Sequence, residues 1–507
     1  MRSPTDLFDL IHSLSRTEKR YFKMMAEVHV IGKQNNYVRL FEAILKQKEY
    51  DEAAIKRKFR KETFVKQLTF TKNALTNKIL KSLRDYHSGG TAPSVAFRLR
   101  ESLNNIELLY RKSLLNQLGK ELRRGKKLAY QYEVFLPLLQ LIKWEKRLLT
   151  GTASKKIVTQ LAELIAEEEY VLLLLQNQAA YQSLNEQIVV SLRIKETTKG
   201  KNTTEDFKLL FDNSLLSHES KALCFTSKLL YHDTKGHYLS KIRQKKQSFE
   251  HYQKLVELWD SEQGQLLQQE DLGGYRKAVN NYLNSCKQIG RFDLFPDILQ
   301  KLKKLPTDTF EAEFKLFQLI AINQLLYFIN TKSFAEGIKE VSKWEKDLEK
   351  YGEHISPSHL LTIYYNISVL YFFEDNHGET LLWLNEIIYF PKADVRKDLQ
   401  QVARLLQLVL HYELENEEIL ENLYRSTYRN LKQADDLDNF EQIILRNIRK
   451  LMKVNIFDKS ALKESFLTFR GELQQMVTNT GRFPLGLFVV GNWLDAKIAG
   501  KSLKDFL

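Results

Sequence analysis

Apolar residues recur at helical spacing along almost the whole of this chain, and only short polar turns stand between one stripe and the next. From Ser94 the pattern reads as helix after helix, and between about Tyr275 and Met452 it regularises into pairs. The first pair sets Val279, Tyr282, Leu283 and Cys286 on one stripe, turns at Ile289-Gly290-Arg291, and continues with Leu294, Ile298 and Leu302. Three more pairs follow, with turns at NTKSF (Asn330 to Phe334), EDNHG (Glu374 to Gly378) and ELENE (Glu413 to Glu417). Their striped helices include Ile363, Ile367, Leu370 and Tyr371, then Val402, Leu405, Leu406 and Val409. A two-helix unit of this kind cannot bury its stripe alone and must stack on a neighbour. With 507 residues, the chain exceeds the roughly 250–300 at which one compact core stops growing. Only 8 Pro and 20 Gly interrupt it, and good helix formers dominate, so strands have little to start from.

The expected class is therefore all-α: a helical-repeat solenoid of stacked antiparallel helix pairs with a basic helical module at its N-terminal end. The segment YNISVLYFFEDNHGETLLWLNEIIYFP, Tyr365 to Pro391, has a small-and-aromatic first helix, a polar turn, a second helix and a closing proline. IGRFDLFPDILQKL, Ile289 to Leu302, repeats the turn-then-helix phrase. Both resemble tetratricopeptide repeats in degenerate form. Turn-to-turn spacing is about 40–45 residues against the family's 34, and Trp383 stands where that family usually has a small residue. The resemblance implies an α-solenoid holding a protein or peptide partner in a concave groove.

Four segments are expected: a basic N-terminal module over 1–88, an irregular helical array over 94–270, the helix pairs over 271–455, and a capping segment over 456–507. SGGTAP, Ser88 to Pro93, is the clearest linker. Further breaks are expected at Gly119, at Thr150-Gly151-Thr152, through Thr197 to Thr204, at Gly236 and at Gly273-Gly274. Within the module the pattern predicts helices over 6–14, 17–27, 37–48, 51–60 and 63–86. Ser15 and Glu18 form a capping box, and Asp51 is a plausible N-cap. The fifth helix lines Phe64, Leu68, Leu75, Ile79 and Tyr86 along one face and carries Lys66, Lys81 and Arg84 behind it. Near the end, Leu485–Val490 reads equally as a strand or a buried turn of helix.

Charge is distributed unevenly. Residues 1–127 hold 28 Lys and Arg against 13 Asp and Glu, a net of +15, and the remaining 380 carry 49 against 50, a net of −1. Clustered like charge repels itself and is usefully offset only by an anionic partner, nucleic acid or an acidic protein surface. The candidate anion-binding residues are Lys56, Arg57, Lys58, Arg60 and Lys61, with Lys66, Lys81 and Arg84 on the following helix. The three helices over 37–86 have lengths compatible with a helix-turn-helix whose last helix enters a major groove, and equally with a solvated basic face on ordinary three-helix packing. Arg123, Arg124, Lys126 and Lys127, beside Lys120, could extend the same surface, with Phe97, Tyr110 and Tyr130 interleaved as stacking platforms or as core. The acidic run Glu167-Glu168-Glu169 could pair with this basic end or stand as an exposed helix face.

No catalytic motif is present. Gly500-Lys501-Ser502 lacks the glycine that a phosphate-binding loop needs five residues earlier, where Asp495 stands. His232 and His237, like His354 and His359, are five residues apart, off the spacing that puts two ligands on one helical face, and read as surface or turn histidines. Cys224 and Cys286 read as small core residues. No metal, cofactor, secretory leader or membrane span is expected, and the expected location is cytoplasmic. The expected function is a non-catalytic scaffold that takes a protein partner in its groove and an anionic partner, plausibly nucleic acid, at the basic end. A DNA-binding regulator with a repeat-type sensor, and an enzyme whose site no motif reveals, are the alternatives.

Overall fold

A computed structural model describes residues 5–28, 35–88, 93–150, 157–197, 213–307, 309–391, 395–433, 439–481 and 483–506. Among these residues every regular element is helical, with 25 α-helices and no strand. The expected breaks at Gly151 and Thr152 and over 198–204, and linker positions 89–92, lie outside the described residues. Two compact units divide the chain, one made of 1–231 with 262–271, the other of 232–261 with 272–507.

The first unit opens with a five-helix module: α1 (Asp6–Ser13), α2 (Arg16–Val28), α3 (Asn36–Leu45), α4 (Glu52–Lys58) and α5 (Leu68–Ser88), the last preceded by a 3-10 turn over Thr63–Gln67. Its core gathers Leu7, Ile11, Phe22, Phe41, Ile44, Ile55, Phe59, Leu75 and Ile79, one apolar stripe from each helix. The capping box forms in full: the Ser15 backbone N–H donates to Glu18 at 2.7 Å and the Glu18 N–H returns to the Ser15 hydroxyl at 3.2 Å. Asp51 caps α4 through the Ala54 N–H at 2.9 Å. A separate core serves α6 (Val95–Arg111), α7 (Leu115–Gln131), α8 (Phe135–Thr150) and α9 (Ile157–Thr197), each packed on the next.

The rest of the chain continues through α10 (Phe225–Lys241), α11 (Lys245–Asp260), α12 (Glu262–Gln268), α13 (Leu272–Ile289), α14 (Phe295–Lys303), α15 (Phe310–Asn330), α16 (Phe334–Val341) and α17 (Glu345–Tyr351). It ends with α18 (Pro357–Phe373), α19 (His377–Ile388), α20 (Lys397–Glu413), α21 (Glu417–Gln433), α22 (Asn439–Leu451), α23 (Lys459–Thr480), α24 (Leu487–Ala499) and α25 (Leu503–Phe506). From α15 to α24 one continuous core runs through the second unit, with Leu325, Leu361, Leu370, Leu384, Leu406, Ile444, Phe469 and Trp493 at its centre. The ambiguous run Leu485–Val490 resolves as the entry to α24, whose Trp493 and Leu494 are buried.

One turn recurs. A residue in the left-handed region ends each of α6, α7, α10, α13, α15, α18 and α20: Ser113, Glu133, Arg243, Gly290, Lys332, Asp375 and Glu415. In each case the next N–H reaches back five residues to a helical carbonyl, as in Asn376 to Tyr371 at 3.0 Å and Asn416 to His411 at 3.2 Å. That bond satisfies carbonyls that a helix end leaves orphaned. Gly290, Lys332, Asp375 and Glu415 are 42, 43 and 40 residues apart, and each lies in a turn expected from sequence.

Three expected breaks are corrected. Gly119 lies inside α7 and Gly236 inside α10, while Gly273 and Gly274 belong to the first turn of α13. Gly236 is required by packing: a Cβ there would stand 2.7 Å from the Tyr252 ring of α11.

Candidate nucleic-acid interface

The turn joining α4 to α5 is held from below. Phe59 is buried, the Arg39 guanidinium lies 5.4 Å over its ring, and the same Arg39 pairs with Glu62 at 2.8 Å. Lys72 of α5 binds back to Tyr50 and Glu52 at 2.8 and 3.1 Å, so the start of α4 is tied to the start of α5. Lys56 is the larger and Lys72 the second cause that draws the Glu52 carboxyl down to about 2. At the far end, His87 meets Glu18 at 2.9 Å and Tyr86 packs on Tyr21. The helix is thereby fixed at both ends against α2, α3 and α4, with its apolar side inward.

Its outward side is the candidate interface. Lys66, Phe70, Asn73, Asn77, Lys81 and Arg84 follow one another at three- and four-residue steps and are all exposed, Phe70 to 70%. Lys58, Arg60 and Lys61 are exposed around the α4–α5 turn. Among the described residues, neither these three nor Lys66, Lys81 and Arg84 have a carboxylate at ion-pair distance. Lys56 and Arg57 are exposed but partly neutralised, by Glu52 at 2.8 Å and Asp51 at 3.6 Å. Phe70, Asn73 and Asn77 were not singled out from sequence. Their signal is the helical step from Lys66, which carries no charge between Lys66 and Lys81.

The second group of cations belongs to a different core. Arg123, Arg124 and Lys127 are exposed on α7. Lys126 is turned inward, its side chain only 16% exposed, between Glu145 at 2.6 Å and Glu167 at 2.8 Å. Tyr130 donates to the other oxygen of Glu167 at 2.6 Å, and Lys146 binds Glu168 at 2.5 Å. The acidic run of α9 is thus used to clamp α7 and α8, and Lys126 has no charge left over for a ligand. Tyr110 is also committed: it packs on Trp144 and carries the Arg147 guanidinium 4.4 Å over its ring.

The histidine reading needs correction. His232 is buried on α10, with Nδ1 3.0 Å from Nδ1 of His251 on α11, and His237 lies 3.4 Å from the buried carboxylate of Asp233. Burial would raise Asp233, but His237 and Lys277 outweigh it and hold the group below its usual range. Burial first, then the neighbouring His232 and Lys235 charges, lowers His251 to about 4. His354 and His359 are exposed, as expected. Cys224 and Cys286 are buried, and burial pushes the Cys286 thiol up to about 12, far from a reactive thiolate. Gly500 ends α24 in the left-handed region, with the Lys501 N–H bonded back to Ala496, and Asp495 pairs with Arg470 at 2.7 Å. That geometry closes a helix and offers no phosphate cradle. Among the described residues no group of three His, Cys, Asp or Glu side chains could hold a metal ion, and no helix is long and apolar enough to cross a membrane. Comparisons with protein-family models, with curated proteins and with solved structures find no match to this chain.

Proposed function

We propose that this protein is a non-catalytic cytoplasmic adaptor that grips nucleic acid with its N-terminal module and holds a protein partner on its helix pairs. The observation that carries the nucleic-acid half is the outer face of α5, where cations without a carboxylate at ion-pair distance flank an exposed aromatic ring and two amides on one stripe. Cations supply phosphate contact and register, Phe70 supplies a stacking or wedging surface, and Asn73 and Asn77 are the side-chain type that meets adenine edges. Nine residues, 59–67, with the 3-10 turn Thr63–Gln67 among them, separate the short α4 from the long α5, more than the three or four of a helix-turn-helix, so the nucleic-acid half rests on the α5 face and not on that motif. The protein-partner half is supported by the recurring left-handed turn at intervals near 40 residues, which reads as a degenerate tetratricopeptide-like solenoid. No cofactor enters this function.

A second reading, a DNA-binding regulator whose helix pairs sense a partner, is favoured by the amides beside the cations, because amides read bases where cations read phosphates. Fluorescence anisotropy of the full chain on labelled duplex DNA, single-stranded DNA and RNA at 50–300 mM salt tests both. Steeply salt-dependent binding indifferent to sequence supports the adaptor, and a duplex-sequence preference supports the regulator. No binding to any of the three at about 50 mM salt removes the nucleic-acid half.

A further inference from the structure

The second unit contains a cavity of about 560 Å³ walled by α20, α21, α22, α23 and α24. Its lining is chemically mixed. Leu420, Met452, Ile456 and Phe466 contribute aliphatic and aromatic surface. Glu413, Glu415, Glu417 and Glu421 contribute carboxylates, and Lys497 one cation. Glu413 is occupied, accepting from the Trp493 indole at 2.8 Å and pairing with Lys497 at 2.5 Å, and Glu421 is shared with Arg425 at 3.0 Å. Glu415 and Glu417 have no cation at ion-pair distance among the described residues. Both are exposed, and the α20–α21 turn sets their backbone, with Glu415 left-handed and Asn416 bonded back to His411. Ile456 is half exposed at the rim and the adjoining Phe457 is 85% exposed, so the apolar surface continues outward from the cavity.

We propose that this cavity is the protein partner's docking site and takes a basic amphipathic segment, an arginine or lysine beside Glu415 and Glu417 with a neighbouring apolar side chain against Leu420, Met452 and Ile456. Charge complementarity commits the occupant: an anionic segment would meet repulsion from two carboxylates that no cation offsets, and a purely apolar one would cover them without supplying a partner. The volume lies in the range of sites that bury one or two side chains. This inference rests on the protein-partner half of the proposed function and is independent of the nucleic-acid half.

The test uses the full chain and three labelled dodecapeptides in fluorescence anisotropy: alternating Leu-Arg, the same peptide with Glu for Arg, and the same with Ser for Leu. The Leu-Arg peptide is expected to bind at least tenfold more tightly than either other. Glu415→Gln combined with Glu417→Gln should weaken it about tenfold, Ile456→Ser about threefold, and Glu353→Gln on a distant exposed site not at all. Thermal melts check that each variant is folded, and Ile456→Ser stands as the independent arm if the double variant is not. Equal binding of the Ser-substituted or Glu-substituted peptide, an unchanged affinity in both cavity variants, an equal loss in Glu353→Gln, or no binding at about 1 mM each overturns the proposal. The same preparations are measured on duplex DNA, so a failed cavity is told apart from a failed nucleic-acid interface.

Discussion

The buried polar residues between α10, α11 and α13 show how one side chain can control stability. Asp233 is 8% exposed and accepts from Lys277 at 2.8 Å and Asn281 at 3.2 Å, with His237 beside it. Asp233→Asn keeps the shape but removes the charge that Lys277 and His237 face. Because Lys277 is half exposed, the loss should fall below that of a fully buried pair, about 2 kcal/mol in urea denaturation at pH 7. His251 gives a pH signature of definite sign. Its folded value near 4 lies below the ordinary 6.5, so the unfolded chain binds the extra proton first as acid is added. Stability conferred by the neutral ring is complete above pH 6.5 and is lost as pH falls toward 4, by about 3 kcal/mol in all. Midpoints of urea unfolding between pH 7 and 4 should drop steeply for the native chain and less so for His251→Phe. An identical pH slope in the two proteins would show that protonation of buried His251 is not what lowers stability in acid.

Helices in this protein meet at close range, and six of the seven recurring left-handed turns that end them are made by residues other than glycine. Gly236→Ala puts a Cβ against the Tyr252 ring, itself only 4% exposed, so α10 and α11 must separate. The overpacking cost of about 1–3 kcal/mol outweighs the roughly 1 kcal/mol an alanine gains in a helix, and the variant should melt lower. The opposite substitution should help at Lys332, exposed at φ 58° with a solvent-facing side chain: Lys332→Gly relieves left-handed strain and should stabilise by about 1 kcal/mol. Glu133→Gly, the same change at φ 52°, should instead destabilise, because the Glu133 carboxylate caps α10 through the Phe225 and Thr226 N–H groups at 2.7 Å. Differential scanning calorimetry of the three variants checks the signs together. These positions also explain what the sequence made legible. The module helices, the capping box and the turns at Gly290, Lys332, Asp375 and Glu415 could be read because apolar stripes stop and polar residues begin there. The breaks at Ser113, Glu133 and Arg243 carried no glycine to mark them, and Gly119 and Gly236 marked breaks that do not exist: Gly236 serves close helix approach, which looks the same in sequence as ending a helix, and Gly119 stands inside α7 with no neighbouring element against it. The α5 stripe was half legible: its cations announced themselves, whereas Phe70, Asn73 and Asn77 needed the helix's outward face to be known. Lys126 was misleading for a related reason, since its partners Glu145 and Glu167 are 19 and 41 residues away.

At the scale of the whole chain, the charge separation has a consequence that single contacts do not. The excess of +15 lies on residues 1–127 and the remainder is close to neutral, so a polyanion is drawn to those residues. Two sets of cations on separate cores compete for that role, the α4–α5 face and the α7 face, and the ion pairs distinguish them. On α7, Lys126 is neutralised within the fold and three exposed cations, Arg123, Arg124 and Lys127, remain without a carboxylate at ion-pair distance among the described residues, against six on the α4–α5 face, where Phe70 and two amides stand beside them. The α4–α5 face should therefore dominate binding. Each phosphate contact it makes releases condensed counterions and adds about 0.9 to the slope of log affinity against log salt on duplex DNA. Replacing Lys58, Arg60 and Lys61 together by Gln should lower that slope by about 2–3 and weaken binding at least tenfold at 100 mM salt, because three fewer cations remain to displace counterions. Replacing Arg123, Arg124 and Lys127 together by Gln removes the same formal charge from the chain and should lower the slope by less than 1. Titrations of the full chain at 50, 100, 200 and 300 mM salt give both slopes directly. Equal reductions in the two variants would mean that the chain responds to net charge alone, and the α5 stripe would then have no special claim to be the contact surface.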